Sequence, residues 1–218
     1  MKKNLIIFTI AMASSMLLMA QGKVNTKPDE LKTVTIGTQQ WTSSNIAISK
    51  YLNGDIIPQA KNMEEWIKYG TDKKGAWCYY DFDEKNGTLY GKLYNWFAIN
   101  DSRGFAPSGY HVPSDKEWRT LSDFLGGYEG AGKKLKSKEG WKDNGNGTDE
   151  NGFKALPGGG VWEKGFYSLG EYGNWWSSTE NDEELAYHRD MGYNSNSLYR
   201  GYAGKTKTRG FSVRLIKD

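Results

Sequence analysis

The side chains best suited to catalysis are few in this sequence. It contains one cysteine, Cys78, and two histidines, His111 and His188. A site that holds iron through three histidines is therefore impossible, whereas a site of two histidines and one carboxylate remains open. Cys78 stands between Trp77 and Tyr79, a setting more typical of a buried core thiol than of a nucleophile. We therefore expect no catalytic residue, no cofactor and no enzyme activity.

Two glycine-rich segments are similar to known ligand-binding motifs, but each lacks residues that its motif requires. Gly127 to Lys134 (GYEGAGKK) is one residue from a phosphate-binding loop, but Lys134 replaces the Ser or Thr that holds Mg²⁺. Asp143 to Gly152 (DNGNGTDENG) is similar to a calcium loop, but Gly145 and Gly147 occupy positions that need oxygen ligands. We expect a coincidental match in the first segment and a solvated turn in the second.

A run of carboxylates follows WWSST in the last third of the chain. Its members are Glu180, Asp182, Glu183 and Glu184. Clustered carboxylate oxygens can bind Ca²⁺, although such a run more often forms a solvated surface. The sequence therefore predicts no metal site, with Ca²⁺ as the alternative partner.

The C-terminal third combines tyrosine with asparagine, serine and arginine. This composition is typical of adaptable binding loops, because rigid rings supply contact area and small polar groups adjust to the ligand. The alternative is that these rings simply cover a sheet. The predicted ligand-binding residues are Tyr193, Asn194, Asn196, Arg200 and Tyr202.

The choice among these residues depends on strand parity. Leu198 to Ala203 is a predicted strand, in which residues two apart point to the same side. Leu198, Arg200 and Tyr202 should then lie on one face, and Tyr199 and Gly201 on the other. We assign the ligand surface to the face of Arg200, because a buried arginine would need a partner that the sequence does not identify.

The N-terminal segment predicts export. Lys2 and Lys3 precede an apolar stretch from Leu5 to Met19 and then Ala20, which is the pattern of a cleavable signal peptide over residues 1–20. The stretch is shorter than the roughly 20 residues that span a bilayer. We expect a flexible lead-in at 21–32, a single domain at 33–218, no membrane span, and secretion or cell-surface exposure.

The charge balance argues against nucleic acid as a partner. Without Lys2 and Lys3, 27 basic residues stand against 26 acidic ones. A nucleic-acid-binding domain usually carries a concentrated basic surface instead.

Hydrophobic spacing predicts an α+β fold. Helices are predicted at Asn62–Tyr69, Leu89–Ile99 and Ser114–Leu125, the last with a capping box formed by Ser114 and Glu117. Strands are predicted at Thr33–Trp41 with a turn at Gly37, and at Gly75–Phe82, Leu185–Met191, Leu198–Ala203 and Gly210–Ile216. Between Lys138 and the C-terminal strands, segments such as Leu156–Gly160 (LPGGG) predict turns and long loops.

A series of short motifs carries a family resemblance. In order they are QQW ending at Trp41, YGKLYNW at Tyr90–Trp96, GYHVPSDKEW at Gly109–Trp118, ALPGG at Ala155–Gly159, WWSST at Trp175–Thr179 and GFSVR at Gly210–Arg214. Together they resemble the Fibrobacter succinogenes major paralogous domain, a family of exported proteins from Fibrobacter and Bacteroidetes without an assigned chemistry.

A more distant resemblance implies the type of fold. GYHVPSDKEW and GFSVR are similar to segments of formylglycine-generating-enzyme-like domains, which implies a C-type lectin-like fold with two main helices, a twisted antiparallel sheet and long loops. The enzymes of that superfamily use a cysteine pair or a histidine triad, and this chain has neither. In the lectin-type variable proteins of diversity-generating retroelements, the C-terminal region contacts the ligand.

These observations favour an exported, non-catalytic recognition domain that binds glycan or protein. Two alternatives remain: an oxidoreductase relative of the formylglycine-generating type, and a structural protein of the cell envelope.

Overall fold

The chain folds into a mixed α+β architecture, as the hydrophobic spacing predicts. The computed structural model describes residues 31–201 and 206–218, which belong to the unit Leu31–Asp218. The predicted signal peptide, residues 21–30 of the predicted lead-in, and Tyr202 lie outside the described residues. No helix in the described part of the chain is long and apolar enough to cross a membrane.

Five helices and eleven strands occur in the described residues. The helices are α1 (Met63–Thr71), α2 (Glu84–Tyr90), α3 (Trp96–Ile99), α4 (Asp115–Phe124) and α5 (Tyr128–Leu135). The strands are β1 (Thr33–Ile36), β2 (Gln39–Thr42), β3 (Trp77–Cys78), β4 (Leu93–Tyr94), β5 (Tyr110–His111), β6 (Gly158–Trp162), β7 (Gly165–Leu169), β8 (Tyr172–Glu180), β9 (Ala186–Gly192), β10 (Tyr199–Gly201) and β11 (Ile216–Lys217).

The strands form three sheets. A four-stranded sheet has the order β1-β2-β11-β5, a five-stranded sheet has the order β10-β9-β8-β6-β7, and β3 pairs with β4. Among the described strands β10 pairs only with β9, so it lies at the edge of the five-stranded sheet. The last strand of the chain pairs with β2 near its beginning, so both ends of the domain contribute to one sheet.

Helix α4 forms where its capping box predicts it. The Ser114 hydroxyl accepts a hydrogen bond from the backbone N–H of Glu117, and the Glu117 carboxylate accepts one from the backbone N–H of Ser114. Trp118 and Leu121 are fully buried, and Trp118 lies 4.6 Å from Trp41 between ring centroids. The packed face of α4 therefore anchors the helix against the N-terminal hairpin β1–β2, whose turn at Gly37 is also confirmed.

The predicted helix Leu89–Ile99 is wrong, because three local features interrupt it. Gly91 has φ +76°, a left-handed conformation that ends α2. Leu93 and Tyr94 then pair with β3. Asn95 starts the short helix α3 by accepting a hydrogen bond from the Ala98 N–H at 3.0 Å. Helix α1 agrees with the prediction for Asn62–Tyr69, whereas the predicted strand Gly75–Phe82 is limited to the two residues of β3.

The predicted loop at Leu156–Gly160 is wrong in its second half. Gly158 to Gly160 belong to β6, which pairs with β7 through Gly160 and Tyr167. A Cβ on Gly160 would lie 2.7 Å from the Tyr167 hydroxyl oxygen, so a glycine here leaves room for the Tyr167 ring to pack over the strand. A glycine-rich composition here reflects close packing of a strand rather than a loop.

The predicted strand Gly210–Ile216 is also shorter than expected. Its first three residues form isolated bridges, and only Ile216 belongs to a named strand. In a strand, the alternating sequence would place Phe211, Val213 and Leu215 inward and Ser212 and Arg214 outward. The three apolar residues are buried, but Ser212 and Arg214 are buried too. The segment is enclosed on both sides, so the alternation of inward and outward residues does not hold.

Candidate functional site

A cleft of about 460 Å³ lies where helix α4 and the start of α5 meet strands β9 and β10. It is lined by Arg119, Ser122, Asp123, Gly127, Tyr128, Arg189, Leu198, Tyr199 and Arg200. Its volume is in the range of small-molecule binding sites. Three of the lining side chains are arginines and one is a carboxylate, so the lining has a net positive charge.

The three arginines are organised by Asp115, the first residue of α4. Its side chain is only 8% exposed, and its Oδ1 atom accepts hydrogen bonds from Arg189 Nη1 and Arg200 Nε, both at 2.8 Å. Arg119, one helical turn further on, places Nη2 3.4 Å from Oδ2. Burial acts to raise the pKa of the Asp115 carboxyl, but the bonds from Arg200 and Arg189 outweigh it and hold this pKa below its ordinary value. Asp115 is therefore a charged carboxylate that holds three guanidinium groups in one place.

Two of these arginines face each other across neighbouring strands. Arg200 is the register partner of Arg189 in the β9–β10 pair. Like charges directly opposite in a sheet destabilise the pairing, and Asp115 compensates here by bonding to both. Burial, to which the charges of Arg200 and Arg119 add, holds the pKa of Arg189 below its ordinary value against the effect of Asp115.

The outer end of Arg200 is supported by a ring. Its guanidinium carbon lies 3.7 Å from the centroid of the Tyr187 ring, within the range of a cation–π contact. The Arg200 side chain is nevertheless 39% exposed, whereas Arg189 is 4% exposed. Arg189 is thus a buried support, and Arg200 is an arginine that solvent or a ligand can reach.

Two tyrosines stand at the cleft with their rings in solvent. Tyr128 is 56% exposed and Tyr199 is 45% exposed. The Tyr199 hydroxyl accepts a hydrogen bond from Ser195 Oγ at 3.3 Å, and the Tyr128 hydroxyl donates one to Glu129 at 3.2 Å. These rings provide flat apolar surface beside the arginines.

Of the predicted ligand-binding residues that the structure describes, one lines the cleft and three do not. Arg200 lines the cleft, whereas Tyr193, Asn194 and Asn196 are not among its lining residues. Tyr193 packs against the core beneath α4 and α5, and Lys142 Nζ lies 5.4 Å from its ring centroid. Asn194 and Asn196 are exposed on the loop before β10, and Tyr202 is outside the described residues.

The predicted strand Leu198–Ala203 begins one residue later than expected, so the predicted grouping of Leu198 with Arg200 does not hold. Leu198 is buried, while Tyr199 and Arg200 are both exposed, and all three line the cleft. The alternation fails because Leu198 precedes the strand and its N–H donates to the Tyr128 carbonyl at 2.8 Å instead of joining the ladder. Tyr199, which parity assigned to the opposite face, therefore belongs to the same cleft as Arg200.

The roles of Asp115, Arg119 and Tyr128 in the cleft are not predicted from the sequence. Asp115 and Arg119 are spaced i, i+4 on the predicted helix, a spacing that favours an ion pair. This spacing predicts only the ion pair within the helix, because the other partners of Asp115 are Arg189 and Arg200, which lie 74 and 85 residues away in the sequence.

The cysteine and the two histidines do not line the cleft. Cys78 is buried, as predicted, and burial raises the pKa of its thiol. His111 lies between Asp218 (Nδ1 to Oδ1, 2.6 Å) and Glu117 (Nε2 to Oε1, 2.7 Å), and His188 is buried against Phe211. Within residues 31–201 and 206–218, no three His, Cys, Asp or Glu side chains are grouped so that they could hold a metal ion.

The carboxylate run that could have bound Ca²⁺ makes internal bonds instead. Lys207 donates to the Glu180 carboxylate and to the Asp182 and Glu183 carbonyls. The Asp182 carboxylate accepts the backbone N–H groups of Glu184 and Leu185. These contacts give the run a structural role in the turn between β8 and β9.

A second cavity, of about 300 Å³, lies between α1 and Thr206–Thr208. Of its charged lining residues, Lys73 pairs with Glu183 and Lys207 pairs with Glu180. Both lysines are thus already neutralised within the chain. The arginine cleft, with more positive than negative groups, is the stronger candidate for a binding site.

Comparison with known proteins identifies one family. The family model described as the Fibrobacter succinogenes major domain matches residues 34–217. No curated protein and no solved structure matches the chain.

Proposed function

The chain belongs to the Fibrobacter succinogenes major domain family, and the match to this family supplies no activity. From the surface of the chain, we propose that the protein is an exported, non-catalytic recognition domain that binds glycan or protein outside the cell or at the cell surface. The observation that carries this proposal is the cleft itself, in which two exposed tyrosines and an accessible arginine surround a concave site.

The composition and construction of the cleft support recognition rather than catalysis. Exposed tyrosine rings supply contact area at little cost in conformational entropy. The charged groups of the cleft lining are three arginines and Asp123, and neither Cys78 nor either histidine lines it. Histidine, the most frequent general base, and cysteine, a strong nucleophile, are thus missing from its described lining.

Export and a C-type lectin-like arrangement are further parts of the proposal. Lys2, Lys3 and the apolar stretch from Leu5 to Met19 support a cleavable leader. The GYHVPSDKEW motif leads into α4, which packs against the five-stranded sheet, and the last strand β11 lies between β2 and β5 in the other sheet. The packing of α4 on the antiparallel strands β8 and β9, with α5 beside α4, supports the lectin-type analogy, although β6 joins β8 in parallel.

The proposal is tested by a binding screen of the purified protein against glycan panels and envelope fractions. We expect specific binding, and we expect the double variant Tyr128→Ala/Tyr199→Ala to weaken it roughly tenfold or more, because aromatic residues dominate binding energy at such sites.

Phe124→Ala is the matched control, since Phe124 is an exposed ring on α4 that does not line the cleft. Its affinity should equal that of the parent. If the parent binds nothing in either panel, or if the tyrosine variant binds as the parent does, the cleft is not a recognition site.

A further inference from the structure

The cleft holds more hydrogen-bond donors than the carboxylate at its base can use. Each guanidinium has five N–H donors, and three guanidinium groups share the two oxygens of Asp115. Arg189 directs a further donor to the His188 carbonyl at 3.2 Å and another to the Asp115 carbonyl at 3.1 Å. Arg119 is mostly exposed and contacts Asp115 at 3.4 Å, so most of its donors face solvent.

Three arginines face two carboxylates in the cleft, Asp115 and Asp123, so one positive charge is in excess. Asp115 neutralises one of the three positive charges that it gathers, and Asp123 is the single carboxylate in the described lining. Glu129 stands nearby, within hydrogen-bond distance of the Tyr128 hydroxyl. The opposed pair Arg189 and Arg200 therefore retains a repulsion that an anion placed beside Arg200 and Arg119 would relieve.

The size of the cleft and the side chains at its rim indicate which kind of ligand would carry such an anion. A cavity of about 460 Å³ accommodates a group of one or two sugar rings, whereas a protein partner would require a broad surface of about 800 Å² on each side. Flat tyrosine rings beside guanidinium groups suit a ligand with apolar ring faces and a planar or tetrahedral anionic substituent. Resting on the function proposed above, we infer that the cleft recognises an acidic sugar, through a carboxylate or sulfate bound by Arg200 and Arg119.

The first test compares charged and neutral members of matched polymer pairs. Polygalacturonate is paired with its methyl-esterified form, and dextran sulfate with dextran, so that the carboxylate and sulfate sources are separated. The protein should bind at least one charged member roughly tenfold more tightly than its neutral partner, and this preference should fall as salt is raised. Equal binding within both pairs would overturn the inference.

The second test removes the accessible arginines. Arg119→Gln/Arg200→Gln should lose the preference for the charged polymer while the neutral polymer binds as before. Lys116→Gln is the control, because Lys116 is an exposed cation on α4 outside the cleft lining, and its variant should keep the preference. An unchanged preference in the arginine variant would contradict the inference.

Folding and specificity are checked alongside. Arg200 bonds to buried Asp115, so if the double variant fails to fold by circular dichroism, Arg119→Gln alone repeats the test with an exposed side chain. Polyglutamate bound as tightly as the charged glycan would overturn the assignment to a sugar. Tight binding of only neutral glycans would overturn the acidic-sugar inference but leave the recognition function standing, whereas no binding to any probe would overturn both.

Discussion

Two arginine sites in this domain use the same side chain in opposite ways. Arg214, in the GFSVR motif, is fully buried and donates to four neutral acceptors: Asn45 Oδ1 at 2.8 Å and the carbonyls of Thr42, Phe153 and Lys154 at 2.7 to 3.0 Å. The cleft arginines instead share one carboxylate, and two of them reach solvent.

The difference lies in the acceptors. Around Arg214 the backbone of distant segments converges on the guanidinium, so its donors are satisfied within the fold, and burial lowers its pKa to about 9. Around Asp115 there are more donors than acceptors. A satisfied buried arginine fixes chain segments to one another, whereas an arginine cluster short of acceptors is suited to an external anion.

The largest effect is expected from Arg214→Met. The substitution removes the donor of four buried or partly buried acceptors. Asn45 Oδ1 keeps the Trp175 Nε1 donor, whereas each of the three carbonyls costs about 1 to 3 kcal/mol if it is left unsatisfied. We expect the free energy of unfolding in urea to fall by about 4 kcal/mol or more. Arg214→Lys should rescue little, because an ammonium cannot reproduce the planar fork. A loss below about 1 kcal/mol would show that this site is not a structural clamp.

A smaller loss, about 3 kcal/mol, is expected from Asp115→Asn, because Arg189 would stay buried without its carboxylate. Asp123→Asn is the control on the same helix. The lowered folded-state pKa of Asp115 means that its contribution is present above the unfolded pKa of about 3.9 and is lost as pH falls through the folded value.

The dependence of the unfolding free energy on acid pH should therefore distinguish the Asp115 cluster from the Arg214 site. The Asp115→Asn variant should show a flatter dependence of unfolding free energy on pH below about 4 than the parent. The acceptors of Arg214 are an amide and three carbonyls, which do not titrate in acid, so the Arg214→Met variant should keep the parent's pH dependence below about pH 4. The same acid slope in the parent and the Asp115→Asn variant would contradict the role of Asp115.

The smallest effect on stability is expected from Arg200→Gln. Its ion pair with Asp115 is short, but the side chain is partly exposed and Asp115 keeps Arg189, so solvent and the remaining partner limit the loss to below about 1 kcal/mol. Thermal and urea denaturation measure this. A loss as large as that of Asp115→Asn would make Arg200 a structural residue and would remove the contrast between the two sites.

Local signals explain what the sequence predicted well. The capping box of α4 and the turn at Gly37 are formed by residues at most four positions apart, so their hydrogen bonds and backbone geometry depend little on the rest of the fold. The ordered motifs from Trp41 to Arg214 also identified the family, and the composition of the C-terminal third identified Arg200 as a candidate.

Packing between segments distant in the sequence decided the features that the sequence predicted wrongly. The apolar spacing of Leu89–Ile99 favoured one helix, but pairing of Leu93 and Tyr94 with β3 overrode it. Ser212 and Arg214 alternate with apolar residues and yet are buried, because other segments enclose them.

The sequence by itself determined the α+β class, the position of α4, the family and the exclusion of a histidine triad. Only the tertiary structure decided that Asp115 lies between Arg189 and Arg200, and that Arg214 is enclosed by carbonyls. The physical reason is that both arrangements join residues 60 or more positions apart, where a charge or a donor has no preferred partner until the chain has folded.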